Sequence, residues 1–489
     1  MLDVDHLKNL FRLTSIYSGG KIGVAVIGFA LYPVYTQYLT PANFGIIGLA
    51  LLVGNGARHL FTIGLNAAAF NFYHRYEGME REEFYTTLFA FIVLLSVGWL
   101  VLFELFGPWF FERLLGVAIY DPYLRIILLA TAITAVLHVI PKHRFKAAEE
   151  AEWFVLMDSG KNLSNHLVRL ILIVGFSFGV TGYLLGSLAG AVIVGAGGLT
   201  FILRRVIPRF SMEKLREALV YSVPLFPHFY SHFIISMADR VLLTRLGSLG
   251  AVGVYTIGYT LAQALQMVVT SANSAIMPEF ARAGDNRDAF ERLPVTATYY
   301  LLFSATAALG MILFLPAVIR AFFPMDYHAA IDLIPWLGLA FFSVALYYVP
   351  MNVLSQTQRN TRIVPLLTIT AAGVNIGLNL LLIPPFGITG AALSTLAAYL
   401  VLAIAVFVYS QRLNRVPYEL RRTGILVGVL LALTVGEMAL PVLSLGLNVA
   451  VRVIIFTAFF VLITFAGFWN NEEWAAIRGA ATRVRSRFG

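Results

Sequence analysis

"FGVTG" occupies Phe178–Gly182, and "FGITG" occupies Phe386–Gly390. The pentapeptide returns after 208 residues with one apolar exchange. Two other features keep that spacing. Gly45 in "TPANFGIIG" falls on Gly253 in "GSLGAVGVY", and Pro141 in "VIPKHRF" falls within one residue of Pro350 in "YVPMNVL". Three separate markers in one register indicate an internal duplication. A unit of this length is not a solenoid repeat. It is the size of a half-transporter built of several spanning helices, and such transporters bind their substrate where the repeats meet. The pentapeptide reads as a tight turn between two helices. Its glycines reach backbone angles that other residues avoid, and Thr181 or Thr389 is placed to cap the helix that follows.

Composition sets the class. The chain is 59% hydrophobic and 12% charged, with a mean hydropathy of +0.80, whereas a soluble domain carries about 25% charged residues. Apolar runs long enough to cross a bilayer as helices recur from end to end. Fourteen are expected, at about 13–38, 45–73, 84–106, 122–141, 152–177, 182–203, 218–244, 251–280, 294–319, 329–355, 361–383, 387–411, 423–442 and 446–468. The fold class is therefore an all-α polytopic membrane protein. It divides into an N-lobe over residues 1–210, a C-lobe over 211–415, and a terminal helix pair with a basic tail over 416–489. The opening "MLDVDHLKNL" lacks the charged-then-apolar order of a cleavable signal peptide. The chain has no cysteine, which excludes disulfides and thiolate chemistry.

The net charge of +9 suggests nucleic acid until its placement is considered. With fourteen spans, most of the 35 Lys and Arg residues fall on the side that holds both termini. They include the loop expected around Lys142, Arg144 and Lys146, and the tail "RGAATRVRSRFG". Only Arg113, Arg125, Arg245 and Arg320 fall opposite. This bias places both termini in the cytoplasm, and the tail reads as an anchor at anionic headgroups.

Six basic residues remain inside spans: Lys21, Arg58, Lys161, Arg169, Arg240 and Arg452. Arg452 lies near a span end, where its head is expected to snorkel to the interface. Arg240 lies in the outer part of its span beside Asp239. The other four lie deeper and should face a bundle interior or a watery cavity. Helical geometry gathers them. Asn55, Arg58, His59, Thr62 and Asn66 share one arc of the second span. Asp158, Lys161, Asn162, Asn165, His166 and Arg169 share a broader arc of the fifth. Ordinary interhelical contacts, such as Asp158 with Lys161 one turn away, are the competing explanation. The basic residues outnumber the acids in these stripes, so pairing leaves charge over.

The second half repeats the pattern with neutral groups. Tyr255, Tyr259, Gln263, Gln266, Thr270 and Asn273 line one face of the eighth span, with Gln266 at the position of Arg58. His228, Ser231, His232 and Asp239 line the seventh, and Thr368, Asn375 and Asn379 line the eleventh. A cavity cationic on one side and amide- and tyrosine-lined on the other suits an anion with a sugar attached. Asp158, Asp239, His166, His228 and His232 are the candidates for a coupling proton or sodium ion, since histidine titrates nearest neutral pH.

The chain resembles a known family in "LTPANFGIIGLA", "YSVPLFPHFYSHFIISMADRVLL" and "LGAVGVYTIGYTLAQ", and in its two six-helix halves with a terminal pair. The resemblance is to the multidrug/oligosaccharidyl-lipid/polysaccharide exporter superfamily. Within it, the chain is similar to the polysaccharide transporter branch of Wzx-type flippases of O-antigen and related glycans. That resemblance implies movement of an undecaprenyl-diphosphate-linked oligosaccharide between the leaflets of the bacterial inner membrane. It also implies alternating access, with Lys21, Arg58, Lys161 and Arg169 as the cations of a central cavity and no cofactor. The coupling ion, and contact with glycan polymerase machinery, stay open. A lipid II flippase of the same fold carries the same diphosphate and remains the alternative. A multidrug extruder would want buried acids, and a membrane glycan polymerase usually carries a large outer loop with catalytic residues. The longest outer loop expected here spans about 107–121 and shows no acid–base constellation.

Overall fold

The computed structural model describes residues 23–203, 209–226, 233, 237–358, 363–440, 445–470 and 473–474. Helices account for nearly all of them. After α1 (residues 23–38) come α2 (Pro41–Thr62), α3 (Leu65–Asn71), α4 (Gly78–Leu115) and α5 (Arg125–Ala147). Helix α6 runs through Ala151–Val155, a π turn at Leu156–Gly160, Lys161–Leu170 and a second π turn at Ile171–Gly175. Then follow α7 (Gly179–Leu203), α8 (Met212–Ser222), α9 (Ala238–Leu246), α10 (Leu249–Arg282), α11 (Arg287–Phe322) and α12 (Ile334–Asn352). Helices α13 (Val364–Leu413), α14 (Leu420–Met438) and α15 (Leu445–Phe465) follow.

Among the described residues, nine helical stretches are long and apolar enough to span a membrane, against the fourteen expected. The difference has identifiable causes. Val364–Leu413 holds two of the expected spans, broken at Gly387 where φ is 55° and ψ is −130°. The fifth expected span is interrupted by the two π turns and carries Asp158, Lys161 and Arg169. The first and seventh run partly outside the described residues, and the thirteenth, Leu420–Met438, carries Arg421, Arg422 and Glu437.

The repeated pentapeptide forms equivalent turns. Gly179 and Gly387, which are partners in the repeat, both have a φ of 55°. A side chain would strain that conformation at either position. Thr181 does not cap the following helix, because that helix already begins at Gly179.

The described chain forms two compact units. The first takes the residues up to Ile257 with Phe323–Tyr327 and Asn375–Ala391; the second takes the remainder. In the first unit, Tyr35, Phe44, Tyr183 and Tyr327 pack edge to face. Their ring centroids lie 5.7 Å apart for Tyr35–Tyr183 and 5.8 Å for Phe44–Tyr327. The Tyr327 hydroxyl donates to the Leu39 carbonyl at 2.6 Å. In the same unit, the starts of α2 and α10 cross at backbone contact. A Cβ on Gly45 would overlap the Leu249 carbonyl oxygen, and one on Gly253 would overlap the Pro41 carbonyl oxygen. Pro41 and Leu249, like Gly45 and Gly253, are repeat partners, so the crossing is pseudo-twofold. In the second unit, Phe280, Leu293, Val353 and Val416 form one core cluster, and Leu354, Val364, Leu402 and Val406 another.

Candidate cationic pocket

Helices α2, α5 and α6 enclose a pocket of about 400 Å³ in the first unit. The first stripe supplies Arg58, His59, Thr62 and Asn66; α6 supplies Asp158, Lys161 and Asn162. Helix α5 supplies Thr134, His138, Lys142 and His143, which the sequence reading did not place there. Lys142 and Arg144, expected in a loop, lie inside α5, which runs on past Pro141 to Ala147. A proline near a helix end removes one hydrogen bond without ending the helix.

Ion pairing divides the pocket's charge. Lys142 Nζ donates to Asp158 Oδ1 at 2.6 Å, so the acid pairs with Lys142 rather than with Lys161 one turn away. Among the described residues, no carboxylate or carbonyl accepts from the Arg58 guanidinium or the Lys161 ammonium. Arg144, beside the pocket, is fully engaged. It grips Glu82 with both terminal nitrogens, at 2.7 and 2.6 Å. His138 Nε2 lies 2.8 Å from the Ala191 carbonyl.

The broad arc of α6 splits between two neighbours. Asn165 is buried against α7, where a Cβ on Gly190 would overlap its amide. One end of its amide faces the Lys161 and Gly186 carbonyls at 3.2 Å each, and since both are acceptors the nitrogen is assigned to that end. Arg169 lies over the Tyr183 ring, 4.0 Å from its centroid, and donates to the Tyr183 carbonyl at 3.2 Å and to Ser187 Oγ at 2.6 Å. His166 packs on Gly28 of α1, and its carbonyl accepts from the Tyr35 hydroxyl at 3.1 Å. An arc this wide exceeds the stripe of about 100° that a helix commonly turns toward its core. Asn55 is exposed on α2, outside the pocket lining. Lys21, His228 and His232 lie outside the described residues.

The neutral groups of the second half are largely engaged in packing. Tyr255 is buried and its hydroxyl donates to Asp239 Oδ2, while Asp239 Oδ1 accepts from the Arg240 backbone N–H at 2.9 Å. The Tyr259 ring meets Phe341 edge to face at 5.5 Å. Asn379 donates to Asn375 at 3.0 Å, both fully buried. Gln263 and Gln266 are half-buried on α10. Arg452 does not snorkel. Glu437 on α14 holds it at 3.0 Å, and both side chains are buried.

A family model described as polysaccharide biosynthesis protein matches residues 10–283, more than half of the chain. An uncharacterized membrane protein of Methanocaldococcus jannaschii, MJ1068, is 24% identical over 233 residues, which is 45% of each chain. The match thus spans about half the length of that relative. Among solved structures, the lipid II flippase MurJ in an inward closed conformation aligns with a TM-score of 0.72 at 14% identity. That alignment covers 91% of this chain and 97% of the other. An inward-facing multidrug resistance MATE transporter of the MOP superfamily aligns with a TM-score of 0.65 at 16% identity. It covers 81% of this chain and 94% of the other.

Proposed function

The chain belongs to the polysaccharide biosynthesis protein family, with the fold of the MOP exporter superfamily, and on that premise we propose that it flips a lipid-linked glycan. The cargo is an undecaprenyl-diphosphate-linked oligosaccharide of the O-antigen, capsule or exopolysaccharide kind. It moves from the cytoplasmic to the periplasmic leaflet of a bacterial inner membrane. The observation that carries this reading is the pair of unpartnered cations, Arg58 and Lys161, in a pocket between spanning helices. A charge at that depth is costly, and it persists where it meets water or a ligand of opposite sign. A diphosphate brings about two negative charges, and the planar guanidinium of Arg58 suits its oxygens. Asn66 and Asn162 add neutral donors beside them.

In this reading Lys21 joins the same anion site, and Arg169 stiffens the α6–α7 wall. The N-lobe 1–210 and C-lobe 211–415 move as the alternating bodies, and the pair over 416–489 accompanies the second. Both termini face the cytoplasm. A proton or sodium ion couples transport through one of Asp158, Asp239 and His166.

Lipid II is the competing cargo. It carries the same diphosphate, and the lipid II flippase MurJ is among the structural neighbours. The test is translocation in proteoliposomes, with undecaprenyl-diphosphate-linked glycan and lipid II offered separately and together. Arg58- and Lys161-dependent movement of the glycan, resistant to excess lipid II, is expected. Movement of lipid II alone would reassign the cargo. Movement of neither would overturn the reading.

A further inference from the structure

The cationic pocket contains an acid that the binding of an anion does not call for. Arg58, Lys142 and Lys161 line it, and among the described lining residues Asp158 is the only carboxylate. With the histidines counted as neutral, the lining carries a formal excess of two positive charges. A diphosphate esterified at both ends, to a lipid and to a sugar, keeps one ionised oxygen on each phosphorus, or about two negative charges. The acid thus trims the pocket to the charge of such a head group.

The Lys142–Asp158 pair differs from the ion pairs that hold the fold. The Arg452 and Glu437 side chains are only 5% and 7% exposed, and Arg144 clasps Glu82 with two nitrogens. Lys142 and Asp158 are 31% and 21% exposed, and both line the pocket. A lysine ammonium is a point charge on a flexible stem, so it changes partner without the fork geometry that commits an arginine. Its 2.6 Å bond to Asp158 Oδ1 can be traded for one to a phosphate oxygen in the same pocket. Asp158 itself sits in the π turn Leu156–Gly160, an interruption of the helical ladder of a kind that recurs at functional sites.

We propose that Asp158 is a resident competitor for the cargo's phosphates and the residue that sets their release. Between cargoes it holds Lys142. An arriving diphosphate draws Lys142 away, and the uncovered carboxylate then repels the bound anion. As the cargo leaves, Asp158 recovers Lys142. The proposal rests on the lipid-linked reading above and adds what lets the head group go. A site that passes charged cargo must bind firmly enough to load it and weakly enough to unload it. Affinity differences among variants of one site appear mainly in the rate of departure. Three basic side chains with no acid beside them would serve loading alone.

The test uses the full chain in nanodiscs and in proteoliposomes. The binding probe is a short-chain, water-soluble prenyl-diphosphate-N-acetylglucosamine, titrated by calorimetry. The transported probe is undecaprenyl-diphosphate-N-acetylglucosamine. Asp158→Asn keeps the shape of the side chain and removes its charge. It should bind the short probe about tenfold tighter, the effect of taking one like charge from beside a bound anion at intermediate dielectric. Its KM and its kcat for the long probe should both fall, because the bound state is deeper and departure slower. Asp158→Glu, which keeps the charge, should bind more weakly than Asp158→Asn. Asp158→Ser is a second neutral variant, so that a folding defect peculiar to one does not decide the matter. If the neutral variants bind like the parent or more weakly, Asp158 only holds Lys142 in place and the competitor is overturned. Tighter binding with unchanged kcat overturns its part in release. In both cases Arg58-dependent binding of the short probe by the parent leaves the flippase reading standing. A parent that does not bind the short probe, or binds it equally well as Arg58→Ala, removes that reading and this inference with it.

Discussion

Asp158 decides how much positive charge the pocket keeps, because it is the one acid among the described lining residues and Lys142 holds it. The two lysines should therefore respond differently to removal. Lys161→Ala takes away an unpartnered charge, so export should fall while the melting temperature in detergent stays within a degree or two. Lys142→Ala takes from Asp158, whose side chain is 21% exposed, the ammonium that donates to it at 2.6 Å, and should cost about 1–3 kcal/mol, less than a fully buried pair. Adding Asp158→Asn should restore most of that stability. Equal melting shifts for the two lysine variants would contradict this division. Arg58→Lys keeps the charge and loses the fork geometry. Glycan export, measured as an initial rate in proteoliposomes, should drop by about tenfold, the order of one charge-assisted hydrogen bond. A rate equal to the parent would show that only charge matters there.

At the scale of elements, the crossing of α2 and α10 is the most constrained feature. Gly45 and Gly253 each admit a carbonyl of the other helix where a Cβ would sit. Small residues of this kind let membrane helices approach at backbone distance. Gly253→Ala should thus hold the two helix starts apart. Cysteines at Gln37 and Ser248, both exposed and flanking the crossing, offer a readout. Their crosslinking yield should fall several-fold in the alanine variant, as a clash of this kind costs about 1–3 kcal/mol. An unchanged yield would mean that the crossing relaxes without separating. The π turns of α6 matter at this scale too. They bracket Lys161–Leu170, the segment that sends Lys161 to the pocket and Arg169 to α7.

For the whole molecule, the alternating access proposed above would have the α2–α10 crossing part once per cycle. The chain has no native cysteine, so the Gln37→Cys/Ser248→Cys pair is clean to interpret. Its crosslink should block export fully, and reduction should restore it. Complete crosslinking with unchanged export would rule out parting at this end. Energy coupling is tested in vesicles. If Asp158, Asp239 or His166 binds a driving ion, collapse of both the proton and the sodium gradient should abolish uphill export. Survival of export would point to the substrate gradient instead.

The one-dimensional features of the chain determined its class. Apolar runs, the register shared by Gly45 with Gly253 and Gly179 with Gly387, and the cations within spans are properties of local sequence and spacing. Membrane insertion and backbone angle act on them directly, so the helical fold, its duplication and Arg58 with Lys161 were readable there. Partner choice was not. Helical periodicity gives a residue's direction from its axis but not which helix stands there. Only the packing of α5 brought Lys142 to Asp158, only α7 took up Asn165 and Arg169, and only α14 matched Glu437 to Arg452. A buried charge settles on whichever opposite charge the tertiary structure brings within hydrogen-bond reach, and that distance is a property of packed helices rather than of the order of residues along one of them.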